Sequence, residues 1–333
     1  MTVRWHVDDL MISHKDPTVV TSLLDDLTNE FGELRITRGK KHDYLGMQFD
    51  FSETGKVKIS MEGYEKQIQD DFSEVLEGYV ETPASDHLFQ VRPENERKLI
   101  PETRAREFHK KVAQLLFLCC RSRRDIRTAV SFLTTRVKQP DEDDWNKLVR
   151  VLRYLRRNPG LPLTLEASDM TVVEWWIDAS FAVHQDYKGH TGGTMSLGKG
   201  SIIDVCAKQK ANARSSTEAE LYGVDQSMPK MIWSMHFLEG QGFSTKTILH
   251  QDNMSTMRLE MNGKRSSGQR TRHLHIKFFF VTDQIEKGWL TVQHCPTEDM
   301  IGDFFTKPVQ GELFRRLRAK VMNCPVNLPP TTT

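Results

Sequence analysis

No apolar run in this 333-residue sequence is long enough to cross a bilayer: stretches such as IKFFFV and QLLFLCC fall far short of the roughly 20 residues a spanning helix needs. No basic segment followed by an apolar one opens the chain, so a secretory leader and a membrane are both unexpected, and the chain reads as intracellular. Cysteine is scarce. The five present (Cys119, Cys120, Cys206, Cys295, Cys324) are odd in number and lack CxxC or Cys/His ligand spacing, which argues against a disulfide framework and against zinc. They read as small buried apolar residues. An excess of one charge sign is missing too, with 46 Lys and Arg against 45 Asp and Glu. What remains, 38% hydrophobic and 27% charged, is ordinary for a globular chain whose length suggests two or three domains.

The near-zero net charge hides a partition. Residues 1–103 are acidic, residues 158–333 are balanced, and in residues 104–157 basic side chains outnumber acidic ones by more than two to one. A basic middle segment suggests a phosphate-facing surface carried by Arg123, Arg124 and Arg127, although a solvated helix face would look similar.

Local patterns alternate between the two periodicities. VRWHV and LMISH flank Asp8-Asp9 as the arms of a hairpin, and Asp16-Pro17 opens an amphipathic helix through VVTSLLDDLTNEFG. YLGMQFDF and KVKISM flank SETG as a second hairpin, and GYEKQIQDDFSEVL reads as a helix. The proline-punctuated stretch from Thr82 to Pro101 is a linker. Three helices follow in residues 104–157, stopped by Asn158-Pro159-Gly160. From Leu163 strands dominate: LTLEA, VVEWWIDASFA and TGGTMSLGKGSIIDVCAKQ, the last with Gly192, Gly193, Gly198 and Gly200 as turn residues. A long helix over Ser215–Gln241 carries Pro229, where a kink or break is expected. TILHQD is a strand followed by a short helix, KFFFVTDQIEKG a helix, WLTVQHC a strand and EDMIGDFFTKP a closing helix. The tail NLPPTTT reads as disordered.

Four carboxylates stand where a buried element meets solvent: Asp178 after VVEWWI, Glu218 in SSTEAELYGV, Asp252 after TILHQ and Asp303 in MIGDFFTKP. Three antiparallel strands, a helix, a strand, helices, a strand and a helix form an α/β layer that can bring such positions to one edge. Like charges there need a counter-cation. Hard oxygen ligands suit Mg²⁺ or Mn²⁺, and two such ions support in-line phosphoryl displacement. Each acid also has a plainer role. Glu218 completes a capping box from Ser215, with Glu220 a second candidate from Thr217; Asp252-Asn253 could cap the next helix, and Asp303 could be a surface helix residue. Asp178 resists this, because a lone acid behind two tryptophans and an isoleucine would be poorly solvated.

WIDASFAVHQDYKGHTGGTMSLGKGSI, KQKANARSSTEAELYG, LHQDNMST and PTEDMIGDFFTKP, in this order, resemble the ribonuclease H domain of copia-type retrotransposon polyproteins. Upstream, WHVDDLMISH resembles the polymerase signature of the palm hairpin, YLGMQFDF and TPAS the palm that follows, and RRDIRTAVSFLTTRV with RVLRYLRRNPGLPL the thumb and connection. The resemblance covers nearly all of residues 3–322. It implies an α/β fold in three parts: an α+β palm remnant over 1–90, a linker and helical thumb/connection over 91–160, and a ribonuclease H-like mixed sheet with flanking helices over 161–322, before a disordered tail at 323–333.

By that resemblance Asp178, Glu218, Asp252 and Asp303 match metal-binding acids holding two Mg²⁺ or Mn²⁺ ions, and Asp8 and Asp9 match the paired polymerase acids. His6 stands where the family more often has tyrosine. The fingers and a further palm carboxylate would precede Asp8, so the polymerase site is expected to be incomplete and the nuclease half complete. The implied activity is cleavage of RNA in RNA/DNA hybrids. Implied partners are the hybrid and the upstream polymerase and integrase part of a polyprotein, in cytoplasmic virus-like particles and the nucleus. The alternatives are an inactive remnant or a reused nucleic-acid-binding protein. Around the site, Arg270, Arg272, His273, His275 and Lys277 form a basic patch suited to phosphates, or a solvated helix face. His294 could shuttle protons or be structural. Ser180 could hydrogen-bond a ribose 2′-OH.

Overall fold

The computed structural model describes residues 1–263 and 280–328. Strands β1 (Thr2–His6) and β2 (Asp9–Ser13) form the expected first hairpin, with His6 opposite Asp9. Helix α1 (Pro17–Phe31) follows; Asp16 caps it by accepting from the Thr18 N–H, and Pro17 sits at the first position, where a missing N–H costs nothing. None of its residues is buried. Strands β3 (Lys41–Tyr44), β4 (Met47–Asp50) and β5 (Lys56–Ser60) make the second antiparallel unit, and helix α2 (Glu62–Asp70) ends one and a half turns before the expected Leu76.

Helices α3 (Glu102–Cys119), α4 (Arg127–Thr134) and α5 (Glu142–Arg157) are the three anticipated from the basic segment. A capping box between Asp141 and Asp144 opens α5, each side chain accepting from the other's backbone N–H. Then come β6 (Leu163–Ala167), β7 (Val172–Ser180), β8 (His190–Ser196), β9 (Gly198–Lys199) and β10 (Ile203–Lys208). Helix α6 (Ser216–Gly240) runs unbroken through Pro229, so no break occurs there. The remaining elements are β11 (Lys246–Gln251), α7 (Met254–Asn262), α8 (Phe280–Glu286), β12 (Leu290–His294), the four-residue α9 (Asp303–Thr306) and α10 (Gly311–Met322). The last was not expected: its sequence, GELFRRLRAKVM, is too charged to stand out.

Two five-stranded sheets organise the described residues. One has the order β10-β8-β7-β11-β12; its first three strands are antiparallel, and β7, β11 and β12 run parallel. Helix α6 covers one face, with Val224, Met228 and Met231 in a core shared with Val173, Trp175 and Ile177. This is the expected α/β layer. The second sheet, β3-β4-β5-β6-β9, crosses the boundary set at residue 161: β6 pairs with β5 upstream and with β9 downstream. A single apolar core reinforces that seam, uniting Phe108, Leu115, Trp145 and Leu152 with Phe304, Phe305, Phe314 and Leu317.

Gly192 and Gly193 are not turn residues. Both lie inside β8, where α9 crosses so closely that a Cβ on Gly192 would sit 2.5 Å from the Phe305 carbonyl carbon and 2.6 Å from the Thr306 nitrogen. Gly198 and Gly200 do occupy positive φ, as turns require.

Candidate metal centre

Strand β7 alternates its side chains between the two faces of the sheet, and near its end the alternation delivers Asp178 to a point where only 2% of the residue is exposed. The parallel neighbour β11 pairs His250 with Trp176, so Asp252, one residue past that strand, lies level with Asp178. A third carboxylate descends from α6, which packs on β7. It belongs to Glu220. Asp178, Glu220 and Asp252 each offer a ligand atom, and these atoms lie within 4.8 Å of one another. Asp303, the first residue of α9, adjoins them: the Lys307 ammonium lies 2.5 Å from Asp303 Oδ1 and 3.4 Å from Asp178 Oδ2. Thr306 Oγ1 donates to the same Asp178 oxygen at 2.5 Å.

Glu218, the expected ligand, is not in this group. Two residues on a helix are about 200° apart around its axis, so Glu218 and Glu220 point nearly opposite ways. The Glu218 carboxylate accepts from the Arg214 N–H at 2.7 Å, while its own N–H donates to Ser215 Oγ at 3.2 Å, the capping role that competed with metal binding in the sequence. A signal for Glu220 was present: it continues the stripe Val224, Ser227, Met228 and Met231 that faces the sheet, and an acid in such a stripe is buried.

The electrostatics follow from crowding. Burial pushes the Glu220 carboxyl up to about 9, and Asp178 and Asp252 push in the same direction. Burial and then Asp178 raise Asp303 to about 7, and raise Asp252 as well. Burial opposes the Lys307 ammonium, but Asp178 and Asp303 outweigh it and raise its pKa. Glu220 Oε2 is buried and accepts no hydrogen bond. Three carboxylates around one point, with one buried oxygen unsatisfied, suit a hard divalent cation such as Mg²⁺ or Mn²⁺.

No protein-family model matches the chain. It is 28% identical over 319 residues to the retrovirus-related Pol polyprotein from transposon RE1 of Arabidopsis thaliana, an alignment covering 95% of this chain and 21% of that protein. It is 27% identical over 319 residues to the corresponding polyprotein from transposon TNT 1-94 of Nicotiana tabacum, covering 93% and 23%. Its relatives include several retrovirus-related Pol polyproteins of transposons. The chain spans about a fifth of the length of these relatives. Among solved structures, a foamy viral protease-reverse transcriptase in complex with dsDNA superimposes with a TM-score of 0.48 at 12% identity, over 89% of this chain and 55% of that one. A ribonuclease H1 isolated from compost gives 0.30 at 15% identity, over 38% and 86%.

Other expected site residues are placed differently. Asp8 and Asp9 stand exposed at the tip of a hairpin whose strands pair only with each other among the described strands, apart from the three converging acids. Arg123, Arg124 and Arg127 do not face phosphate. Arg123 is 1% exposed and bonds Glu65 at 2.7 Å and Asp125 at 2.8 Å, while Arg124 and Arg127 both clamp Asp204 of β10. A buried guanidinium requires such partners: Arg123 joins α2 to the segment that opens α4, and Arg124 and Arg127 tie that segment to β10.

Ser180 turns inward and donates to the Thr306 carbonyl at 3.2 Å, so its proton is committed to the protein. His294 is exposed at the end of β12, beside a groove of about 700 Å³ with Trp176 and His250 among its walls. Arg270, Arg272, His273, His275 and Lys277 lie outside the described residues, as does the tail beyond 328. Thr306 and Lys307 were missed from sequence, although Lys307 stands four residues after Asp303, the spacing of a helical ion pair.

Proposed function

We propose that the chain is a piece of a copia-type reverse transcriptase whose nuclease part cuts the RNA strand of RNA/DNA hybrids by divalent-metal hydrolysis. In this reading residues 1–90 derive from the palm, 91–160 from the linker, thumb and connection, and 161–322 from the ribonuclease H domain. The observation that carries it is the meeting of Asp178, Glu220 and Asp252 at one end of two parallel strands, with Asp303 adjacent. The Pol homologues supply the context.

Bound divalent ions would supply a water of lowered pKa and positive charge against the developing oxyanion. The chain's own contribution is to hold oxygens in a fixed, partly desolvated frame. Thr306 orients Asp178 by donating to its Oδ2, and Thr297 Oγ1 does the same for Asp252 at 3.3 Å. Such outer hydrogen bonds fix ligand orientation. A cleft of about 460 Å³ opens beside Ser180, Thr306 and Lys307, with His87, Phe89 and Gln90 on its far wall. The acids themselves do not line it; Lys307, which bonds Asp303 and Asp178, does.

Incubation of the full chain with a labelled RNA/DNA hybrid and Mg²⁺ or Mn²⁺ tests this. Cleavage is expected; it should fall by about a hundredfold or more in Asp178→Asn and Glu220→Gln, and stay near the parent level in Glu218→Gln. An uncut hybrid, or cutting indifferent to Asp178→Asn, overturns the proposal.

A further inference from the structure

The carboxylates of the candidate centre share one basic neighbour. Among the described residues, Asp178 and Asp303 form ion pairs with Lys307 alone. Helix α9 is only one turn long, and at its end the chain becomes extended at Lys307, whose N–H still donates to the Asp303 carbonyl at 3.0 Å. That turn folds the Lys307 side chain back over the helix onto Asp303 Oδ1 and Asp178 Oδ2. Asp178 Oδ2 thus carries both the ammonium and the Thr306 hydroxyl.

An ammonium 2.5 Å from one acid and 3.4 Å from another occupies the ground a divalent ion shared by those acids would need. It also has somewhere to go. The Lys307 side chain is 44% exposed and lines the cleft beside Ser180 and Pro308, so its ammonium can swing outward into water when another cation replaces it on Asp178 and Asp303.

We propose that Lys307 is a built-in counter-cation: it holds Asp178 and Asp303 together in the metal-free protein and competes with a divalent ion for them. This rests on the metal-dependent reading above, and concerns the step before any substrate binds. Lys307 is in this sense a positioning residue. It sets how readily the centre loads and keeps the acids from repelling one another until it does.

Titration of the full chain with Mn²⁺ alone, by calorimetry and without nucleic acid, tests the competition. Lys307→Met is expected to bind Mn²⁺ about tenfold more tightly than the parent, a coupling of ordinary size, and to melt at a lower temperature in chelator. Lys307→Arg, which keeps the charge, should stay near the parent in both. If the Met variant aggregates, Lys307→Gln serves in its place. Equal or weaker Mn²⁺ affinity in the neutral variant overturns the proposal and leaves the metal reading standing. No Mn²⁺ binding by parent or variant overturns both.

Discussion

Next to the candidate centre, a file of three side chains crosses the interior. His184 Nε2 lies 3.1 Å from His190 Nδ1, His190 Nε2 lies 3.3 Å from Cys206 Sγ, and the Phe89 ring packs against both imidazoles at 5.2 and 5.3 Å. In the imidazole pair one nitrogen must donate and the other accept, so protonating the accepting nitrogen sets two donors face to face. Burial accordingly lowers His184 to about 4 and His190 to about 3, from an ordinary 6.5. Because the unfolded chain takes up these protons first, the file contributes full stability above about pH 6.5 and loses it progressively as pH falls toward the folded values. Ring resonances of both histidines should stay in the neutral position down to about pH 5, with the urea midpoint declining over the same interval; a titration near 6.5 would contradict this. None of it was legible in the sequence, where the partners lie up to 16 positions apart and Phe89 sits in a linker. The same blindness misplaced Arg123: its partner Glu65 is 58 positions away, and nothing local separates a buried guanidinium from a solvated one. Asp178 was legible for the opposite reason, since the apolar strand around it announces its own burial.

Among elements, α9 and β8 approach each other with little room to spare. The short helix carries Asp303 and Thr306, and it reaches the sheet because Gly192 offers no side chain. Gly192→Ala would have to displace the backbone of Phe305 and Thr306, an overpacking cost of about 1–3 kcal/mol. It should also weaken Mn²⁺ binding by lifting Asp303 and Thr306 away from Asp178. Denaturant midpoints and metal titration of the same variant check both, and an unchanged midpoint would mean that the helix has slack. The glycine pair read as a turn from sequence because glycine usually serves conformation; here it serves proximity, which only the partner reveals. Helix α6, by contrast, was foreseen almost to the residue, since Ser215 caps it and its apolar stripe runs its full length. What that pattern could not decide was which of two glutamates, two positions apart, would face inward.

At the level of the whole molecule, the fold class and the order of elements were readable because each element has its own periodicity and punctuation. How they assemble was not. Strand β6 opens the downstream half in sequence yet adds to the upstream sheet, and α10 fills the upstream core with Phe314, Leu317 and Val321. The described residues from β3 onward are therefore expected to unfold in urea as one cooperative unit, with fluorescence and circular dichroism tracing the same curve; two separated transitions would show that the seam at β6 is weak. The first hairpin and α1, which bury little, fall outside that unit and should exchange their amides early.

The path of the chain also fixes when the centre can exist. Asp178 emerges near mid-sequence, but Asp303, Thr306 and Lys307 arrive with the closing helices that lock the two halves together. A nascent polypeptide on the ribosome is therefore expected to lack Asp303 at the centre until residues 303–307 have emerged, and termination between Asp252 and those residues should yield a product with neither a finished interior nor an assembled cation cradle.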